Sequence, residues 1–393
     1  MTAFNRWEYG SNFHWCIPQA PPEKSKLPEG AVLYASGREA LGALLSSQIR
    51  ARRWKRFFVP TYFCQEVVAY IRDIGVSVEL YEDLPLWAVP DFSKMRLRPD
   101  DAVMVVNYFG LRGQLSSDVL DAVGVNLVEN HTHDPWSEWA KKSDASYCIA
   151  SLRKVLPIPD GAALWSPRGL PVPKAPACTQ SHFRASHSKL CAMLLKHLYL
   201  RGDAIPKQLF LDLFARGEAS IAAGEPSEPS PLLEPFLAAF SVKAWRKARM
   251  RNHRIFCEAV AECKTIKVLP SQEASGSCPF SVIVVFPDKR FRDSVRKKLI
   301  ENSLYPAILW PMAGNDTRQL PKATVDLSER MLSIPCDGRY SPRDVRRAAS
   351  ILLQVVESVQ SSRVSRQPVK TRLFRSQEGV LRAIPHGKGR RIS

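Results

Sequence analysis

The run Val125-Asn-Leu-Val-Glu-Asn130-His-Thr-His133-Asp134, continued by Ala145-Ser-Tyr-Cys-Ile-Ala150-Ser151-Leu-Arg153-Lys154 and closed by Pro159-Asp-Gly161-Ala-Ala-Leu-Trp165, decides how this chain is read. Its first two segments are apolar strands of the buried type, each ending in a polar cluster. Asp160-Gly161 marks a tight turn into a third apolar strand. Lys154 is a basic residue held between buried strands. An amine in that position is either desolvated and chemically useful, or long enough to reach water.

Working outward, the same alternation extends upstream. Phe57–Val59 reads as a strand, Gln65–Ile74 as a helix, Val76–Tyr81 and the longer Ala102–Gly110 as strands, and Ser116–Val123 as a helix. Near-continuous Val/Ile/Leu strands alternating with helices predict an α/β fold of three layers around a mostly parallel sheet. Ligands of such sheets sit at the carboxyl ends of the strands. Thr61–Phe63, Asn107-Tyr108, Asn130–His133 and Ser151–Lys154 are expected to converge there. Before the first of these strands, Ser36-Gly37-Arg38-Glu39 opens an amphipathic helix with Leu41, Leu44, Leu45 and Ile49 at helical spacing. Ser36 and Glu39 are placed as a capping box. A helix start with glycine at its mouth is also an anion site, because free backbone N–H groups point outward there.

Downstream the pattern loosens. Pro167–Pro231 is less regular, with a helical piece at Ser188–Arg201 and a Gly/Pro/Ser/Glu-rich linker or flap at Gly224–Pro231. One long helix, about Leu232–Cys263, leads into a smaller α/β unit with strands at Phe280–Phe286 and Met331–Ile334 and helices at Phe291–Asn302 and Ser341–Val359. Four regions follow: an irregular aromatic and proline-rich arm (1–30), a large domain (31–230), a helix with a small C-terminal α/β domain (231–360), and a basic tail (361–393). A chain of 393 residues exceeds what one core usually organises, which fits two domains.

Composition narrows the function classes. The net charge of +18 is partly an effect of the tail: from Arg363 to Ser393 nine Lys/Arg face one acidic residue, Glu378, so the tail carries +8 and the rest +10. Such a tail is expected to be disordered and to make at most weak, salt-sensitive contacts with anionic surfaces, nucleic acid included. No apolar run is long enough to span a membrane, and no secretory signal is evident. The nine scattered cysteines form no Cys-x-x-Cys pair and read as reduced residues of a cytoplasmic protein. No Gly-x-x-x-x-Gly-Lys-Ser/Thr loop or Gly-x-Ser-x-Gly elbow is present. His131 and His133 would face one side if their strand continued, but no partner ligand spacing supports a metal site.

Taken in order, these segments resemble the DegT/StrS-type sugar aminotransferases, pyridoxal-phosphate enzymes of the aspartate-aminotransferase fold (fold type I). Ser36-Gly-Arg-Glu-Ala-Leu41 resembles the family's Ser-Gly-Thr-x-Ala-Leu loop, and Val59-Pro-Thr-Tyr-Phe63 its Val-Pro-x-x-Thr-Phe strand end. Val106-Asn-Tyr-Phe-Gly110 resembles its Val-His-x-x-Gly turn, and Glu129-Asn130 stands where it has Glu-Asp. Ser151-Leu-Arg-Lys154 with Pro159-Asp-Gly161 is similar to the cofactor-lysine segment of one subgroup. The resemblance spans about residues 30–360 and implies a homodimer that binds pyridoxal 5'-phosphate. It implies Lys154 as the Schiff-base lysine, Gly37, Arg38 and Ser151 around the phosphate, Phe63 (or Tyr62) stacked on the ring, and Asn130 and His133 beside it. It also implies transfer of an amino group from an amino acid such as glutamate to a keto-sugar nucleotide, in surface-polysaccharide or secondary-metabolite biosynthesis. Asn130 departs from the family's aspartate and is neutral. Ala162 replaces a glycine, and no Asn-x-Arg segment stands near Ser230–Phe240. These departures keep two alternatives open: a non-catalytic binding or regulatory protein, and a pyridoxal enzyme of another reaction type, such as a sugar dehydratase.

Overall fold

A computed structural model describes residues 6–16, 27–51, 53–115, 121, 123–269, 276–312 and 319–364. Its larger sheet has seven strands, of which the inner ones are buried on both faces and the edge strand Ser77–Tyr81 is partly exposed. They are β2 (Val32–Tyr34), β3 (Arg56–Pro60), β4 (Ser77–Tyr81), β5 (Asp101–Val106), β6 (Asn126–Asn130), β7 (Tyr147–Ala150) and β8 (Ala162–Trp165), in the order β2-β8-β7-β6-β5-β3-β4. Five neighbouring strands, β4 through β7, run parallel, and β8 is antiparallel to both its neighbours. All six residues of β5 and all four of β7 are buried, as a sheet covered on both sides requires. The polar exception in β5, Asp101, is held in a fork by Arg56 at 2.9 and 2.6 Å.

The order of strands fixes where a ligand can sit. After β3 the chain builds β4 on one side and then crosses to β5 on the other, so the carboxyl ends of β3 and β5 flank a switch point. Thr61–Phe63, Asn107, Asn130 and Ser151 follow directly from β3, β5, β6 and β7, and so share that edge. Helix α1 (Gly37–Arg50) starts at the same edge, because β2 ends there. Its Leu41, Leu44 and Leu45 are buried in the core beneath the sheet, each worth about 1.5–3 kcal/mol on burial.

Helix α2 (Gln65–Asp73) follows β3, and the short α3 (Glu138–Lys142) joins β6 to β7. Beyond β8 the structure departs from the expected pattern. The piece placed at Ser188–Arg201 starts eight residues earlier, as α4 (Gln180–Arg201), with Thr179 Oγ1 accepting the His182 amide at 3.1 Å. A second helix, α5 (Lys207–Ala223), fills a stretch read as irregular. It packs antiparallel on α4 through Phe210, Phe214, Gly217 and Ile221. Gly217 is needed at that crossing, since a Cβ there would lie 2.5 Å from the Lys189 side chain. The helix expected over Leu232–Cys263 is two, α6 (Leu233–Ala239) and α7 (Val242–Val260), separated by extended Phe240; Ser241 Oγ caps the second by accepting the Ala244 amide. The helix expected at Ser116–Val123 lies for the most part outside the described residues.

The smaller unit is built on an antiparallel sheet, β9 (Lys267–Val268), β10 (Ser281–Val285) and β12 (Met331–Pro335), in the order β12-β10-β9. Helices α8 (Lys289–Glu301) and α10 (Pro342–Val364) pack with α7 around its core of Val282, Val284, Leu299, Leu332 and Leu352, and α9 (Lys322–Arg330) leads into β12. The described part of the arm lies on its own chain. Within it β1 (Tyr9–Gly10) pairs in parallel with β11 (Leu304–Tyr305), and Trp15 donates its amide to Met193 of α4 at 3.0 Å. No described helix is long and apolar enough to cross a membrane.

Gly161 joins the two halves of the expected lysine turn. Its φ of +118° is a conformation that side chains disfavour, and an added Cβ would stand 2.8 Å from Leu233. Gly161→Ala should therefore destabilise the fold by about 2–4 kcal/mol, combining the left-handed penalty with overpacking. Chemical denaturation measures this as a lowered midpoint at unchanged slope.

Candidate functional site

Three chain segments meet at the edge where the parallel strands end. The first is the start of α1. Ser36 is extended and its Oγ accepts the Glu39 amide at 3.3 Å, which leaves Gly37 and Arg38 as the opening residues of the helix. Their own amides have no intrahelical partner, as in any first turn. The second is the lysine turn, a single helical turn at Leu152–Lys154 following Ser151. Gly37 is packed directly on it: a Cβ on Gly37 would lie 3.1 Å from Ser151 Cβ. The third is the end of β6, where Thr132 Oγ1 accepts the Ser151 amide at 3.1 Å. Gly161 locks these together. Its N–H donates to Ala35 O at 2.8 Å, and its carbonyl accepts from Leu152 and Arg153 at 3.0 and 3.3 Å.

Of the residues singled out from sequence, Gly37, Ser151 and Asn130 are thus brought together, with Lys154 one turn on. Lys154 stands in a cleft. Protein surrounds it on most sides while its own surface still reaches solvent, and it lines a cavity of about 430 Å³ with Arg153, Lys189 and Glu218. The crowding, with the Arg153 charge beside it, lowers the Lys154 pKa below the usual lysine value. Arg38 is turned away. Its guanidinium faces Glu66 at 3.6 Å and lies 6.0 Å from the Tyr70 ring centre, so its side chain extends along α2 rather than over the helix mouth.

Phe63 is buried against the Trp310 indole, with ring centres 5.5 Å apart and planes tilted by 57°. Tyr62 packs on the same indole, with ring centres 5.9 Å apart, and its hydroxyl donates to Leu309 O at 2.5 Å. Trp310 therefore packs in this aromatic group. His133 belongs to it as well, 5.7 Å from Trp310 and 4.6 Å from Phe280. Its Nδ1 accepts the Phe109 amide at 3.0 Å. Burial, reinforced by the Lys154 charge, pushes the His133 pKa down to about 3, so the ring is neutral. His131 does not accompany it. The chain turns after Asn130, sending His131 to the opposite side of the sheet, where Nε2 meets Glu129 at 2.8 Å and the ring packs on Trp139 and Trp165. Asn130 is buried, and its Oδ1 accepts the Thr132 amide at 3.0 Å.

Several participants were not foreseen. The expected capping box forms only by half: Ser36 Oγ accepts the Glu39 amide, while the Glu39 carboxylate crosses to the segment Gly224–Pro231, where Oε2 accepts the Ser227 amide at 3.3 Å. Asp160 accepts from the Ser230 amide at 2.7 Å, the Ser230 hydroxyl at 3.1 Å and His182 at 3.0 Å. The expected linker or flap is therefore a pinned strap behind the helix mouth. Pairings between residues tens of positions apart leave no local pattern, which is why the sequence did not signal them.

No family model and no curated protein matches the chain in sequence. Solved structures match in shape. Spr1654 of Streptococcus pneumoniae, described as a putative sugar aminotransferase, superposes with a TM-score of 0.58 at 12% identity, covering 85% of this chain and 88% of that one. DesV of S. venezuelae gives 0.56 at 15% identity, covering 83% and 85%. DesI, solved with its TDP-sugar product, gives 0.56 at 17%, covering 86% and 83%. This chain has the sugar-aminotransferase fold.

Glu39 gives a pH test of the site's architecture. Burial raises its pKa from 4.5 to about 7, and Oε1 has no hydrogen-bond partner. A raised carboxyl pKa means the folded state binds more protons than the unfolded one, so stability falls as pH rises from about 4.5 to about 7. Glu39→Gln should remove that loss, gaining on the order of 3 kcal/mol over wild type at pH 8 and little at pH 4. Urea titrations at the two pH values give the comparison; equal differences at both would contradict it.

Proposed function

We propose that this chain binds pyridoxal 5'-phosphate through Lys154 and moves amino groups between an amino acid and a keto-sugar nucleotide, as a cytoplasmic homodimer. The observation that carries this reading is the cradle in which Gly37 packs on Ser151 at a helix start, one turn from a lysine of lowered pKa. A helix N-terminus and a serine hydroxyl suit a phosphate. The glycine at its mouth lets the two segments approach that closely, so the residues present fit the group. When bound, the cofactor would supply an aldehyde and an electron-accepting ring.

The residues around it would do the rest. The lowered pKa of Lys154 beside Arg153 favours the deprotonated amine that condensation with an aldehyde draws on, and the same amine would then be the base in reach. Phe63 would support one ring face, and neutral His133 would offer a polar edge without adding charge. Asn130 limits the chemistry. With Oδ1 engaged by Thr132, it offers an amide N–H to a ring nitrogen and no negative charge to hold a proton there. The same observation supports a second reading, a member that binds the cofactor yet does not transaminate, or that runs a reaction needing less electron withdrawal, such as a dehydration. All nine cysteines are free, in keeping with a reducing compartment.

Titration with pyridoxal phosphate should give a visible absorption band that Lys154→Ala lacks and Ser151→Ala weakens. If losing the carboxylate costs about 3 kcal/mol in the transition state, Asn130→Asp should speed the amino-acid half-reaction up to roughly a hundredfold. A loaded wild type and a loaded Asn130→Asp variant that both fail to react with amino acids would favour the second reading. No band in any variant would overturn both.

A further inference from the structure

The cavity beside Lys154 already holds a carboxylate. Glu218, on α5, is gripped by both terminal nitrogens of Arg153 at 2.6 and 2.8 Å and by Lys189 Nζ at 2.8 Å. Arg153 is the residue next to Lys154, and all four side chains line the same space of about 430 Å³. We infer that Arg153 and Lys189 form the seat for a substrate carboxylate, and that Glu218 is a resident occupant that blocks the seat until it swings out. The inference rests on the reading of Lys154 as the reacting amine.

Four observations carry it. The fork made by Arg153 on Glu218 is the planar two-point geometry that selects carboxylates, and it is formed on a carboxylate in this chain. The charges do not balance. Arg153, Lys154 and Lys189 face one acid, so an incoming anion meets a surplus of positive charge even with Glu218 in place. The donor set is not exhausted either, because Arg153 Nε is buried and has no hydrogen-bond partner. Finally, the two sides differ in exposure. The Lys189 side chain is 9% exposed, whereas that of Glu218 is 48% exposed and borders open solvent into which it could turn. The walls opposite, Phe13, Ile158, Met193 and Phe214, are apolar and would cover the carbon chain of a small acid.

Glu218 is held far below the usual carboxylate pKa by Arg153 and Lys189, so it is charged throughout the working range. Burial lowers Lys189 to about 8, with Arg153 adding to the fall and Glu218 opposing it. The resident acid therefore competes as an anion. Protonation would not release it near neutral pH, and displacement by another carboxylate would.

Glutarate, which carries the same carboxyl chemistry without an amine, tests this by calorimetric titration of the whole protein, with no reaction required. Glu218→Gln should bind glutarate at least about tenfold more tightly than wild type. Arg153→Gln should abolish binding, and inorganic phosphate should compete poorly. Glu218→Ala is the second variant, and thermal melts check that both remain folded. Equal glutarate affinity in wild type, Glu218→Gln and Glu218→Ala, or none in any of them, would overturn the proposal, as would phosphate displacing glutarate at equal concentration. The cofactor reading is judged separately by the absorption band at Lys154. Its loss with the glutarate pattern intact would sink that reading and leave the carboxylate seat standing.

Discussion

The structure depends on one knot of backbone around Gly161. The residue sits at φ +118°, gives its N–H to Ala35 and takes the amides of Leu152 and Arg153 on its carbonyl. Those bonds fasten the junction of β2 and α1 to the turn that carries Lys154, across the start of β8. Once they form, the α1 mouth lies against Ser151, where a Cβ on Gly37 would stand 3.1 Å from Ser151 Cβ and force that contact to give. Sheet order delivers the strand ends to a common edge, and this knot brings the helix start to them.

The surrounding polar groups hold the knot in register. Asp160, fully buried, collects three donors from α4 and the strap, so the residue preceding Gly161 is fixed from behind. Glu39 does the same from the helix side through Ser227. A buried carboxylate without partners would be costly, and Asp160 avoids that cost by full hydrogen bonding. Glu39 does not, since one oxygen has no partner, and its pKa rises accordingly. Thus the same burial that fastens the strap makes this end of the molecule sensitive to pH.

Much of this was legible in the residues. Continuous apolar strands alternating with helices gave the parallel sheet, and Asp160-Gly161 gave the turn, because both are local consequences of side-chain type. The α4–α5 hairpin was only half legible. Phe210, Phe214, Gly217 and Ile221 have helical spacing, but the Pro/Gly/Ser/Glu-rich residues after them dominate the composition of the region. Phe240 breaks the helix expected through Leu232–Cys263 because extended backbone there lets Ser241 cap a new one, a choice set by packing on Trp245. The site divides in the same way. Gly37, Ser151, Asn130 and Lys154 lie near one another, since strand ends in one sheet must share an edge. Arg38 was placed on the anion side, and the structure turns it to Glu66, a partner on the next helix that no local pattern reveals. The Arg153–Glu218–Lys189 group joins residues 65 positions apart and was invisible for the same reason.

The central claim is that the turn at Ser151–Lys154 presents a reactive amine beside an anion cradle. The most direct measurement is borohydride reduction of the protein with pyridoxal phosphate, followed by peptide mass mapping. The account predicts a pyridoxyl mass increment confined to the peptide containing Lys154, suppressed when Gly37→Val fills the cradle while Lys154 is intact. Label spread over surface lysines, unchanged by Gly37→Val, would contradict it.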